Sequence, residues 1–323
     1  MKKFAIFLCA VLCLFSAFGC APTKSDNLVL VCPDGAPAIS AFALKGVNGI
    51  DFSVYPSSTA PTSIAQDFRM KSTDIAILPI NLASKLCASG EDYKMVGVLT
   101  HGNLYGVSDD GVTLENIKGK SVGVIQLNSV PGYTVKLLLK SLDIPYTDNE
   151  SEKTSDNVYL FSLNADATAV KSALDSDKAD LCIVAEPMCA RLVSAFSFTR
   201  TVDVQSAYGS FPQAVMVIKT SVLNAKKDKV NEIISALDGY DYTALNPTSL
   251  VDWINLKITE GATSSLSPVA LTEEALAKSN IRFENASSQR ERVKNYLTAL
   301  KIFDTPLGTV AENVSDEFFW SNV

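Results

Sequence analysis

Thr73-Asp74-Ile75-Ala76-Ile77-Leu78-Pro79-Ile80-Asn81-Leu82-Ala83 is the stretch whose reading decides the fold. Asp74 to Leu78 is a short apolar run behind one acidic residue. Such a run, bounded by turn signals, reads as a strand covered on both faces. Pro79 closes it, and a helix is expected from Asn81 to Ala88. The same plan returns at Asp180-Leu181-Cys182-Ile183-Val184, followed by Ala185-Glu186-Pro187 and a helix from Met188 to Val193. Strands of this kind between helices belong to α/β lobes with parallel sheets.

Working outward, the alternation holds on both sides. Strands are expected at Leu28 to Cys32 and Asp51 to Tyr55, with helices at Pro37 to Val47 and Thr62 to Met70. Tyr93 to Thr100 and Leu104 to Val107 read as extended. The pattern restarts with a strand at Lys120 to Ile125 and a helix at Pro131 to Leu142. A polar loop covers Pro145 to Asn157, and a strand follows at Tyr159 to Leu163. After Asp180 to Val184 come strands at Thr201 to Val204 and Ala214 to Ile218, and Ser221 onward reads as mostly helical. Val31-Cys32-Pro33-Asp34-Gly35-Ala36-Pro37 aligns with Ile125-Gln126-Leu127-Asn128-Ser129-Val130-Pro131. Each is a strand end, a polar loop and a proline opening a helix. The chain is therefore read as two similar α/β lobes.

The chain has 323 residues, 47% hydrophobic and 20% charged, which suits two domains of ~150 residues each. A net charge of −7 makes nucleic acid a poor partner. Lys2 and Lys3, the apolar run from Phe4 to Phe18, and Ala17-Phe18-Gly19-Cys20 follow the order of an export signal. The ending resembles a bacterial lipobox, with Ala17 where leucine is usual. Residues 1–20 are read as a lipoprotein signal, Cys20 as the lipidated residue and 21–27 as a tether. Contact with the membrane is expected through that anchor only. Cys32, Cys87, Cys182 and Cys189 remain, and disulfides among them are not expected, because Cys32 and Cys182 fall in buried strands. His101 is the single histidine. That excludes a His-rich metal site, and no Gly-x-Ser-x-Gly elbow accompanies it.

In open α/β sheets, ligands sit beyond the carboxyl ends of the strands. The expected cleft is therefore made of strand ends. The first lobe contributes Asp34, Gly35, Ala36 and Pro37, then Tyr55, Ser57 and Ser58, then Asn81, Asn103 and Tyr105. The second contributes Asn128, Ser129, Val130 and Gly132, then Glu186, and Phe211 closes the set. Asp34, Ser129 or nearby polar groups are expected to cap the exposed donors of the helices that follow. The remaining backbone N–H groups at a positive helix end then face a ligand. Asp34, Asn81, Asn103, Ser129 and Glu186 are the expected polar contacts, and Tyr55, Tyr105 and Phe211 the walls. These strand ends hold no Arg or Lys. Aromatic faces with acidic acceptors suit a neutral or cationic ring better than a small anion.

Pro33-Asp34-Gly35-Ala36-Pro37, the Thr73–Ala83 stretch, Ile117-Lys118-Gly119-Lys120-Ser121-Val122-Gly123-Val124 and Phe211-Pro212-Gln213-Ala214-Val215 together resemble the solute-binding lipoproteins of ABC importers. The likeness is to the nitrate, taurine, sulfonate and thiamine-precursor group, and it covers essentially the whole mature chain. It implies a type II periplasmic-binding-protein architecture, with 28–105 plus 215–323 as one lobe and 106–214 as the other. The chain would cross near Tyr105–Ser108 and return near Pro212–Val215, with the C-terminal helices on the first lobe. It further implies capture of a small solute by a monomer, without cofactor or metal, and delivery to an ABC permease and its ATPase. An extracellular sensing module is the alternative. An enzyme like the eukaryotic thiamine-pyrimidine synthase is disfavoured, because its cysteine-rich iron motif is missing here.

Overall fold

A computed structural model describes residues 26–259, 261–303 and 314–321. The signal segment, Cys20 and all but the last two residues of the tether lie outside the described residues.

Two six-stranded sheets form the two lobes. The first contains β1 (Leu28–Pro33), β2 (Ile50–Tyr55), β3 (Ile75–Pro79), β4 (Tyr93–Thr100), β11 (Ala214–Lys219) and β12 (Ile281–Asn285), in the order β12-β4-β11-β3-β1-β2. The second contains β5 (Leu104–Ser108), β6 (Ser121–Ile125), β7 (Tyr146–Thr147), β8 (Val158–Leu163), β9 (Leu181–Ala185) and β10 (Thr199–Asp203), in the order β10-β5-β9-β6-β8-β7. Without the edge strands β12 and β7, the orders correspond strand for strand. β1 pairs parallel with β2 and β3, as β6 does with β8 and β9.

The sheets are mixed rather than purely parallel. β11 runs antiparallel to β3 and β4, and β5 antiparallel to β9 and β10. Connectivity explains this. β4 and β10 run towards the other lobe, the chain crosses there, and the next strand must run away from the seam. The crossings occupy His101–Asn103 and Gly209–Gln213, between β4 and β5 and between α7 (Val204–Tyr208) and β11. The first comes earlier than Tyr105–Ser108, because Leu104 is already paired with Ala185 in the second sheet. Gly102 has φ +87°, and a Cβ there would meet the Phe211 ring at 2.8 Å. The two crossings therefore pack closely on each other.

Helices cover the sheets: α1 (Ala36–Phe42), α2 (Ala60–Met70) and α3 (Ile80–Ala88) in the first lobe, and α4 (Val130–Ser141), α5 (Ala167–Asp175), α6 (Met188–Phe196) and α7 in the second. The chain then returns through α8 (Thr220–Ala225), α9 (Lys227–Leu237), α10 (Pro247–Lys257), α11 (Glu273–Lys278) and α12 (Ala286–Lys301). Leu250 and Ile254 of α10 join the core around Leu30 and Ile75, and Val293 and Leu297 of α12 the core around Met95 and Val98. The tail is mostly helical as expected, with the exception of β12, which adds an edge strand to β4. The polar Pro145–Asn157 segment carries β7 and a short 3-10 turn at Glu150–Glu152. Cys32, Cys182 and Cys189 are buried and Cys87 half-buried, all as free thiols. No helix among the described residues is long and apolar enough to cross a membrane.

Candidate functional site

The strands that end at the seam hand over to α1, α3, α4 and α6. None of these helices has a side-chain cap on its N-cap residue (Gly35, Pro79, Ser129 and Pro187). α5, α7, α10, α11 and α12 are all capped, by Asp166, Asp203, Asn246, Thr272 and Asn285. A missing cap is not by itself a signature, since α2, α8 and α9 also lack one. The four seam helices differ in starting at strand ends that face one another. Their first-turn N–H groups carry the positive end of each helix dipole towards the seam.

The expectation that Asp34 or Ser129 caps its own helix is corrected here. Asp34 is buried and takes three hydrogen bonds from the loop after α10. Ser264 Oγ donates to Oδ1 at 2.8 Å, and Ser265 N and Oγ donate to Oδ2 at 2.6 and 2.7 Å. Its carboxylate thus fastens a loop. Ser57 Oγ donates to the Asp34 carbonyl at 3.1 Å, and Ser58 is exposed. Tyr55 is turned to its own lobe, its hydroxyl donating to Asp67 Oδ2 at 2.7 Å. Asn128 is exposed, while Ala36, Val130 and Gly132 are buried.

Asn81 and Ser129 join the lobes directly: Asn81 Nδ2 donates to Ser129 Oγ at 3.2 Å. Phe211 stacks on Tyr296 of α12 with ring centroids 5.5 Å apart, and the Tyr296 hydroxyl shares a 2.5 Å hydrogen bond with Thr134 of α4. On the other flank the second lobe reaches the segment around α11. Arg191 Nη1 donates to Ser265 O at 3.0 Å, Arg200 Nη1 to Glu274 Oε1 at 3.3 Å, and the Tyr105 hydroxyl to Lys278 O at 3.1 Å. The seam is thus bridged at its centre and on both flanks.

Glu186 is buried beside the start of α6, where Oε2 accepts from Ala190 N at 2.9 Å and Oε1 pairs with Arg200. Burial pushes its carboxyl pKa up, opposed by the Ala190 N–H and the Arg200 charge. The Arg200 guanidinium also lies over the Tyr105 ring, 4.9 Å from its centroid. Arg200 falls outside the expected site because it lies at the start of β10, not at a carboxyl end. Only the pairing of β10 with β5 brings it to Tyr105 and Glu186.

At the first crossing His101 is fully buried. Its Nε2 lies 3.1 Å from Arg282 O, and Arg292 Nη1 lies 3.2 Å from its Nδ1. A neutral ring that donates from Nε2 and accepts at Nδ1 satisfies both contacts. Burial and then the nearby Arg282 push its pKa down to about 4. Asn280 Nδ2 donates to the carbonyls of His101 and Gly102 at 2.8 and 2.9 Å, tying the tail to the crossing.

Two surface depressions lie elsewhere on the first lobe. One, of about 880 Å³, is lined by Asp26, Asn48, Lys226 and Lys229, at the end of the sheet away from the seam. The other, of about 180 Å³, is lined by Cys87, Tyr93 and Phe318. Among the described residues, no group of three or more His, Cys, Asp and Glu could hold a metal ion.

No protein-family model and no curated protein matches the chain. Solved structures do. An ABC transporter protein from Parabacteroides distasonis is 16% identical with a TM-score of 0.69, over 92% of this chain and 100% of that one. The alkanesulfonate-binding protein of Xanthomonas axonopodis pv. citri, bound to MOPS, is 13% identical with a TM-score of 0.60, over 92% and 99%. A Candida albicans gene product described as having the generic periplasmic binding protein fold is 11% identical with a TM-score of 0.54, over 86% and 90%. The fold is thus that of the periplasmic binding proteins, and its solved neighbours include solute-binding components of ABC systems.

Proposed function

We propose that this chain is an extracytoplasmic solute-binding protein that captures a small molecule between its lobes and passes it to an ABC permease and its ATPase. The observation that carries this reading is the convergence of the starts of α1, α3 and α4, none with a side-chain cap, on a seam that Asn81 and Ser129 close directly. Closure selects a state only through contacts absent from the open form, and this hydrogen bond is such a contact. Asn81, Asn103 and Ser129 are the polar groups we assign to the solute. Cys20 anchors the mature chain to the membrane as a lipoprotein, through the 21–27 tether, and the chain works as a monomer.

The solute is a small ring compound, pyrimidine- or vitamin-like, rather than a small anion. Arg200, one of the cations that the fold brings to the seam, is already shared by Glu186 and Glu274, and Arg191 is engaged by the Ser265 carbonyl. A fully charged anion would find that charge compensated. A thermal-shift screen tests both levels, since a ligand at a hundred times its Kd stabilises the native state by about 2.7 kcal/mol. Stabilisation by pyrimidines or thiamine precursors is expected. Stabilisation by taurine or nitrate alone refutes the ring preference, and none by any solute refutes capture.

A further inference from the structure

Asn103 stands where the chain turns between the lobes, beside the point at which β9 gives way to α6. Three of its polar groups are used. Its N–H donates to Gln213 Oε1 at 3.2 Å, its carbonyl accepts from Glu186 N at 2.8 Å, and Nδ2 donates to Glu186 O at 3.0 Å. The fourth is not: Oδ1 has no hydrogen-bond partner, although the residue is 0% exposed. The amide orientation follows from the contact with Glu186, because the reverse would set Oδ1 against a carbonyl oxygen. A buried acceptor left unmade costs about 1–3 kcal/mol. Such a group in a native protein calls for an explanation, and a donor from outside the chain is one that fits a polar seam.

This acceptor complements the helix starts of the seam. α3 and α4 offer donors there, in first turns without side-chain caps. Asn103 asks for a donor. We infer that the solute carries an N–H or O–H that donates to Asn103 Oδ1, together with an acceptor edge that meets the opening turns of α3 and α4. An aminopyrimidine or a primary amide has both functions on one small frame. Unsubstituted pyrimidine and nitrate have acceptors only. The inference rests on the seam being the solute site and specifies what that site discriminates.

The experiment uses matched probes that differ by one donor: 4-aminopyrimidine against pyrimidine, taurine against ethanesulfonate, and glycine against acetate. Each is titrated into the purified protein by calorimetry, and the series is repeated with Asn103→Ala. In any pair that binds, the donor-bearing member is expected to bind at least about tenfold more tightly, because a site built around a hydrogen bond rejects the analogue lacking it. That ratio should fall to near one in N103A. Equal binding within a pair, or a ratio that survives N103A, overturns the inference and leaves the receptor reading intact. Binding by none of the six probes overturns both for these solutes. If N103A does not fold, the wild-type ratio decides alone.

Discussion

Asp74 and Asp180 make the same pair of bonds in the two lobes. Asp74 N donates to Val29 O at 2.9 Å and Oδ2 accepts from Val29 N at 3.0 Å, joining the starts of β3 and β1. Asp180 N donates to Ser121 O at 2.9 Å and Oδ2 accepts from Ser121 N at 2.8 Å, joining the starts of β9 and β6. At the other end of the same strands the likeness stops. Asp34 is buried and holds a loop of its own lobe, whereas its counterpart Asn128 is exposed. Gly35 begins α1 with φ +98°, while Ser129 begins α4 in extended geometry and receives the Asn81 bond. Strand starts need only hold a sheet together, and both lobes solve that alike. Strand ends meet the partner lobe, and there the two have diverged.

The largest break in this comparison is expected one turn into the helices, where Ala38 aligns with Gly132. A Cβ on Gly132 would lie 1.9 Å from the Leu127 carbonyl oxygen. Backbone cannot yield as a flexible side chain does, so Gly132→Ala is expected to cost about 3 kcal/mol or more. Ala38→Gly removes only a methyl group and adds backbone freedom, for about 1–2 kcal/mol. Urea denaturation of the two variants reads the difference. Equal costs would show that α4 meets its loop no more tightly than α1 does.

The crossings differ next. His101 is neutral in the fold, whereas Ser210 of the second crossing has nothing to titrate and donates to the His101 carbonyl at 2.7 Å. With its pKa lowered from 6.5 to about 4, His101 takes up a proton more readily in the unfolded chain. Its contribution to stability is thus fully present above about pH 6.5 and is lost as the pH falls towards 4. The full span corresponds to roughly 3 kcal/mol. His101→Gln should flatten the stability profile across that window, and an unchanged slope would place the acid sensitivity elsewhere.

The aspartate clamps should be close to equal. Asp74→Ala and Asp180→Ala each leave a strand N–H without its carboxylate, at about 1–3 kcal/mol. Asp180 also pairs with Lys120 at 3.1 Å, both groups about a third exposed. That pair adds at most about 0.5 kcal/mol and fades with salt. A gap between the variants that persists in 0.5 M salt, or exceeds about 1 kcal/mol, would end the claim of equivalence.

How far the sequence reached follows the same division. The two Asp-led strands, and with them the two lobes, were legible because buried strands write themselves as local apolar runs. β12 was missed although Ile281 and Phe283 alternate with polar neighbours, since the segment is short and lies among helices. The seam was legible only as a place. Asp34 reads as a cap or solute contact in the sequence because its partners, Ser264 and Ser265, come 230 and 231 residues later. Arg200 stands just before the expected strand Thr201 to Val204, outside the strand ends that define the expected cleft, and only the fold shows its partners Glu186 and Glu274. Hydrogen bonds between distant segments leave no periodic trace in the chain.

The smallest effect on stability is expected at the contact that matters most for closure. Asn81 Nδ2 and Ser129 Oγ lie 3.2 Å apart across the seam; each lobe has a core of its own, and a third apolar cluster containing Phe211 and Tyr296 runs through both. If the open form is folded, losing this bond shifts the protein from closed to open without unfolding it. Ser129→Ala should therefore leave the urea midpoint within about 0.5 kcal/mol of wild type. The bond contributes about 1 kcal/mol, so the closed-to-open ratio should fall about fivefold. Distances between spin labels on the two lobes would register that shift, and Asn81→Ala should not add to it, because both variants remove one interaction. A Ser129→Ala protein that loses stability outright, with its lobe distances unchanged, would mean that the seam is a fixed interface rather than one that opens.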